Sequence, residues 1–219
     1  MNGMKRVWIV GFGKFGRHSA RQTEKIAPEA SVVAIDPDQE GLRSWAGRQT
    51  LVCKDGVEFV CERLDSGERP DMIVPALPVH LAYEYVRRRM DGMDGRRLLR
   101  PLPMSETGMD RLPNPVSGAD GEVYVSHAEF VCPDTCAEPA DRCTVTGRPR
   151  RQDMFELLGA LTGDFTPVVL RRRQLAPGVG GYTPEALIEA ANRVERLSGI
   201  VLLATACRCH GVVHAFQIV

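Results

Sequence analysis

The 219-residue sequence has no long apolar run, no excess of either charge, no internal repeat and no low-complexity tract. The apolar stretch nearest its start, Val7 to Val10, is far shorter than a signal core or a membrane span. No membrane insertion is therefore expected, and the cytoplasm is the expected compartment. Lys plus Arg and Asp plus Glu number 28 each. A generic nucleic-acid or membrane-surface binder is usually basic, so nucleic acid is not expected as a partner. Hydrophobic residues make up 43% and charged residues 26%, the composition of a globular protein with ample material for a core. The cysteines number seven, and an odd count in a reducing compartment points to thiols or metal ligands rather than a disulfide framework.

Strand signals at Arg6–Val10, Ser31–Ile35, Gln49–Cys53 and Met72–Val74 alternate with helix-compatible stretches at Phe15–Ile26, Pro37–Ala46, Val57–Leu64 and Val79–Met90. This alternation reads as parallel βαβ units. The stretch from Asp91 to about Gly121 is rich in Gly, Pro, Met and Arg and reads as a connector, with a short strand at Arg97–Leu99. A strand at Val123–Ser126 leads into a cysteine cluster. Beyond Arg151 come a helix at Gln152–Leu161, a strand at Pro167–Arg171, a helix at Pro184–Leu197 and strands at Ile200–Thr205 and Val212–Ile218. The expected architecture is α/β: a doubly wound, Rossmann-like, mostly parallel sheet with a Cys-rich insertion and further α/β units in the second half. The divisions are 1–92 for the dinucleotide-binding half, 93–150 for the Pro/Gly- and Cys-rich connector and 151–219 for the C-terminal half, whose sheet is expected to continue the first.

Gly11-x-Gly13-x-x-Gly16 lies where the first strand hands over to a helix. Glycine inside an element costs on the order of 1 kcal/mol, so three at one junction need a cause. In this setting Gly11 permits the tight turn, Gly13 lets a pyrophosphate approach the backbone, and Gly16 lets helix and strand pack closely. The exposed helix start then faces the phosphates. Asp36 closes the second strand 20 residues beyond Gly16. A carboxylate there can accept from both ribose hydroxyls and repels a 2′-phosphate, which favours NAD(H) over NADP(H).

The segment "VWIVGFGKFGRHSA", followed by "VVAIDPD", resembles the N-terminal dinucleotide-binding domain of the regulators of potassium channels and potassium transporters. The resemblance covers roughly the first 75–90 residues. It implies an NAD(H) or other adenine-nucleotide site and control of a transporter. After the third strand this chain carries Lys54-Asp55-Gly56, where that family commonly shows a Gly-Asp-Ala-type turn.

In an open α/β sheet a ligand sits at the carboxyl ends of the strands where the order reverses. The fourth strand ends there in "VPALPVH", and His80 is the candidate general acid or base. A second Gly-rich turn, Gly178, Gly180 and Gly181, precedes Thr183 and Pro184, an N-cap and first-turn pair, and is a candidate second anion contact. Cys132, Cys136 and Cys143 cluster in one loop, and Cys207, Cys209 and His210 lie near the end of the chain. Three loop thiols plus Cys207 or Cys209, with His210 in reserve, make a four-ligand set for zinc or an iron–sulfur cluster, between which the spacing does not decide. Cys53 and Cys61 read as packing residues. The expected function is an NAD(H)-dependent oxidoreductase with a thiol or metal centre, acting on a small-molecule substrate. The alternatives are an NAD(H) or redox sensor that changes its contacts with a protein partner, itself included as a homo-oligomer, and a metal-stapled structural domain.

Overall fold

The computed structural model describes residues 4–91, 98–103 and 108–219. Its first half is a four-stranded parallel sheet in the order β3-β2-β1-β4, built from β1 (Arg6–Val10), β2 (Ser31–Asp36), β3 (Thr50–Cys53) and β4 (Met72–Pro75). β1 lies between β2 and β4, with Trp8 opposite Val33 on one side and Ile73 on the other. Residues 7–10 are wholly buried, which explains the unbroken apolar run: a central parallel strand is covered on both faces. The helices α1 (Lys14–Ile26), α2 (Gln39–Arg43), α3 (Gly56–Asp65) and α4 (Leu81–Asp91) follow the four strands in turn. Asp38 and Asp55 cap α2 and α3 by accepting from backbone N–H groups of the first turn.

The second half is a separate sheet, in the order β6-β7-β12-β11-β8. Its main strands are β7 (Glu122–Ser126), β8 (Phe165–Arg171), β11 (Gly199–Ala206) and β12 (His210–Ile218), with β6 (Val116–Ser117) at one edge. Only β8 and β11 pair in parallel. β12 is long enough to hold β7 along residues 210–214 and β5 (Leu99–Pro101) along residues 216–218. Two helices complete the half, α5 (Met154–Gly159) and α6 (Pro184–Glu195), the latter capped by Thr183 with Pro184 in its first turn.

Two expectations change here. The connector assigned to 93–150 supplies β5, β6 and β7 to the second sheet, and that sheet does not continue the first. The expected strand at Arg97–Leu99 overlaps β5 only at Leu99, and Arg97 lies outside the described residues. The link between the sheets is a hairpin, β9 (Arg173–Ala176) and β10 (Val179–Gly181), directly after β8. Just past β10, Tyr182 exchanges two backbone hydrogen bonds with Ile73 on β4, at 2.8 and 3.0 Å. Arg172 is therefore the corner residue where the chain leaves one sheet for the edge of the other. A single hydrophobic core joins Trp8, Phe59, Tyr85 and Met90 to Leu187, Leu203 and Phe216, so α3, α4 and α6 fill the space between the sheets. Among the described residues no helix is long and apolar enough to cross a membrane.

Candidate functional site

The glycine turn forms at the carboxyl edge of β1. Gly11 has φ +93°, and a Cβ there would lie 2.6 Å from the Ala76 carbonyl oxygen, so both conformation and space demand glycine. A Cβ on Gly16 would collide with the Gly11 carbonyl, which lets α1 pack on the turn. Gly13 differs: no described atom lies within 4 Å of its missing side chain. It is also the N-cap of α1 and offers no capping side chain, so the first amides of the helix have no side-chain acceptor from that residue. Asp36 reaches across from β2. Its Oδ2 accepts from Phe12 N–H at 2.6 Å and its Oδ1 from Asp38 N–H at 2.9 Å.

Beside this turn, at the carboxyl ends of β4 and β11, lies a cavity of about 220 Å3. Leu77, whose backbone N–H is against Gly11, is one of its walls. His80, just ahead of α4, is 4% exposed and forms a buried relay. Its Nε2 is 2.9 Å from Thr205 Oγ1 on β11, and its Nδ1 is 3.0 Å from His214 Nδ1 on β12. His214 stacks on Tyr83 at 3.9 Å. One nitrogen of the His80–His214 pair donates and the other accepts, and the tautomer of His80 sets the direction of its contact with the Thr205 hydroxyl. Burial holds both imidazoles below their ordinary range, reinforced at His80 by the neighbouring His214. At neutral pH His80 is therefore uncharged.

The far wall of the cavity holds Arg172, Tyr182, Cys207 and His210. Nothing in the local sequence marks Arg172, Tyr182, Thr205 or His214, each unremarkable in its own stretch. The second glycine turn is placed differently from its expectation. Gly178 is the tip of the β9–β10 hairpin, packed against the Asp134 carbonyl, while Gly180 lies under the Arg172 guanidinium and Gly181 against the Ile73 carbonyl. These glycines allow close packing of the hairpin and stand on β10 or its turn rather than at the start of α6.

The six metal-ligand candidates divide between two places. Cys132, Cys136, Cys143 and Cys209 line one cavity of about 580 Å3, together with His127 and Arg150. Cys207 and His210 face the smaller cavity beside His80. Burial pushes the Cys207 thiol up to about 12, helped by the Glu138 carboxylate against it. Cys143 moves the other way, because the N–H and hydroxyl groups of Thr146 and the N–H of Val145 point at its sulfur and favour the thiolate. Arg150 donates to Cys209 Sγ at 3.0 Å and to the carbonyls of Pro139 and Ala140, tying the loop to the β11–β12 turn. All seven thiols are free, and among the described residues no group of three or more His, Cys, Asp or Glu side chains is placed to hold a metal ion. Cys61 is half-buried as a packing residue would be, whereas Cys53 is exposed, with its thiol against the Pro37 carbonyl.

Residues 82–219 match the family AF_1314_C, described as "Uncharacterized protein, C-terminal domain". The chain belongs to that family. The matched region takes in all four grouped thiols and Arg172, Tyr182, Thr205 and His214. A protein of Archaeoglobus fulgidus, named "Uncharacterized protein", is 31% identical over 224 residues, covering 95% of this chain and 98% of its own length. The likeness to that relative therefore includes the glycine-turn half as well.

Proposed function

We propose that this protein is an NAD(H)-binding redox protein, with a Rossmann-like nucleotide site in its first half and a substrate cavity between its two sheets. Gly13 carries this reading: bare backbone at an uncapped helix start, with open space in front, is what a diphosphate needs. The strand order 3-2-1-4 supports it, since β1 and β4 flank the point where the order reverses. Asp36 supports it too. Its two oxygens are held by Phe12 and Asp38, which fixes the carboxylate where a ribose edge would meet it and leaves a lone pair on each oxygen. The nicotinamide dinucleotide, when bound, supplies a two-electron carrier. The chain's own work is to seat the phosphates on α1, select against a 2′-phosphate through Asp36, and keep a neutral His80 behind Thr205 at the cavity floor. The cavity beside the turn favours an enzyme over a sensor, because a sensor needs no second buried chamber there. Calorimetry with NADH and NADPH tests the reading. NADH is expected to bind, NADPH at least roughly tenfold more weakly, and Asp36→Ala to narrow that gap. Equal affinity for the two dinucleotides, or none for either, overturns it.

The grouped thiols favour a soft metal centre as the second component. Cys132, Cys136, Cys143 and Cys209 share one cavity, and zinc and iron–sulfur clusters both take about four such ligands; the N–H and hydroxyl groups beside Cys143 favour its thiolate, while burial pushes the Cys132 and Cys209 thiols up. Metal would draw the thiols together from positions in which they line the cavity without converging. Anaerobic loading with Zn(II), or with iron and sulfide, is expected to give about one centre per chain. Cys209→Ser is expected to abolish it, and Cys207→Ser to leave it intact. Stoichiometric loading of Cys209→Ser, or none of the wild type, removes the centre from the proposal.

A further inference from the structure

We infer that the cavity between the sheets is a binding site for a small organic carboxylate, seated by Arg172 and Tyr182. The inference rests on the cavity's own groups and holds whether or not a dinucleotide occupies the first half.

Arg172 stands at the corner between β8 and β9, where its backbone N–H is committed to the Ala206 carbonyl at 2.8 Å. Its side chain lies over Gly180, where any Cβ would collide with the guanidinium. Arg172 Nε is buried without a hydrogen-bond partner, and among the described residues no carboxylate pairs with this side chain. Tyr182 is 1% exposed, and its hydroxyl is likewise buried without a partner. Arg172, Tyr182 and His210 line one chamber, and the Arg172 charge acts on both the Tyr182 phenol and the His210 ring. A buried donor left unmade costs on the order of 1–3 kcal/mol, and buried polar groups are nearly always satisfied. Two such donors in one chamber, one of them on a permanent cation, call for an acceptor that carries negative charge.

The rest of the lining says what kind of anion. Leu77, Val79, Leu81 and Val212 offer an apolar wall, and among the described residues no Asp or Glu lines the chamber. Glu138 lies behind Cys207 and is held by the Arg208 N–H. About 220 Å3 is room for a small molecule and not for a nucleotide. A planar guanidinium edge with one adjacent phenol matches the two oxygens of a carboxylate. A phosphate dianion would ask for more donors than these two supply. The apolar wall then receives the carbon body, and the Thr205–His80 pair faces it from the floor.

The test is calorimetric titration of the dinucleotide-free protein with butyrate, 2-oxobutyrate and benzoate, with butyramide and inorganic phosphate as controls. At least one carboxylate is expected to bind, butyramide roughly tenfold or more weakly, and phosphate not to displace it. Arg172→Gln and Arg172→Lys are each expected to lose roughly tenfold in affinity or more, since neither reproduces the fork. Tyr182→Phe is expected to weaken binding severalfold while the melting temperature stays equal or rises, because it deletes a hydroxyl that has no partner in the fold. Binding of butyramide as tight as butyrate, tighter binding of phosphate, no carboxylate binding to folded wild type, or a marked loss of stability in Tyr182→Phe overturns the inference.

Discussion

Gly13→Val is expected to abolish NADH binding, a loss of about hundredfold or more, while costing the fold no more than about 1 kcal/mol. The first effect follows from placement. A branched side chain on the N-cap of α1 would fill the open space through which a diphosphate reaches the helix amides. The second follows from the same space: apart from its chain neighbours no described atom lies within 4 Å of a Cβ there, so a side chain starts into open space rather than into the core. Gly11→Ala and Gly16→Ala are expected to behave in the opposite way. At Gly11 a side chain meets both a φ of +93° and the Ala76 carbonyl. A left-handed conformation costs a non-glycine residue about 1–2 kcal/mol, and overpacking adds about 1–3 kcal/mol. At about 2–4 °C per kcal/mol for a chain of this size, the melting point should fall by roughly 5–20 °C. Calorimetric melting and NADH titration on the three variants separate the roles. A Gly13→Val protein that binds NADH like wild type, or a Gly11→Ala protein as stable as wild type, contradicts this account of the turn.

That turn was legible because its signals are local and agree with one another. A four-residue apolar run, three glycines at fixed offsets and an acidic strand end all fall within about one βαβ unit. The second half was legible strand by strand but not in its pairing. β8, β11 and β12 carry apolar runs that mark them, whereas β5 and β6 span three and two residues among prolines and glycines, too short to show any alternation. The hairpin at Gly178 reads as a strand-to-helix turn because its glycines run straight into Thr183 and Pro184, a true helix start two residues past β10. The cavity was legible only in part: His80, Cys207 and His210 stood out in the sequence, but not their meeting with Arg172, Tyr182 and Thr205. His80, Arg172, Tyr182 and Thr205 come from three separate stretches of chain that meet only in three dimensions. Within Arg171-Arg172-Arg173 no residue stands out. The fold decides, sending Arg171 outward over the Phe155 ring at 4.1 Å and Arg172 inward. Cys207 and Cys209 show the same limit: two residues apart in one turn, they line different chambers.

Acidification is expected to destabilise the protein steeply from about pH 6.5 downward, well before its carboxylates begin to titrate. His80 and His214 are 4% and 3% exposed, and both are held neutral below the ordinary histidine range. In the unfolded chain each takes up a proton near pH 6.5, whereas in the folded chain His214 does so lower and His80 well below that range. The unfolded state therefore binds more protons in that window. The stability these residues contribute is complete above about pH 6.5 and is lost as pH falls towards their folded values. Two protons give a slope of about 2.7 kcal/mol per pH unit once both are taken up on unfolding. His127 and His210, also lowered by burial, act in the same direction. Glu122, Asp120 and Glu84 pull the other way at His214, and burial outweighs them. The lowered carboxylates of Asp71 and Glu122 act in a separate window, below about pH 4.5, and cannot mimic this slope. Urea melts between pH 5 and 8 measure it directly. His214→Phe keeps the stack on Tyr83 and removes one titrating ring, so its slope should be shallower by about 1.4 kcal/mol per pH unit. A flat profile across that range, or imidazole resonances of His80 and His214 that titrate near pH 6.5 in the folded protein, would show that the Thr205–His80–His214 relay is open to protons from solvent.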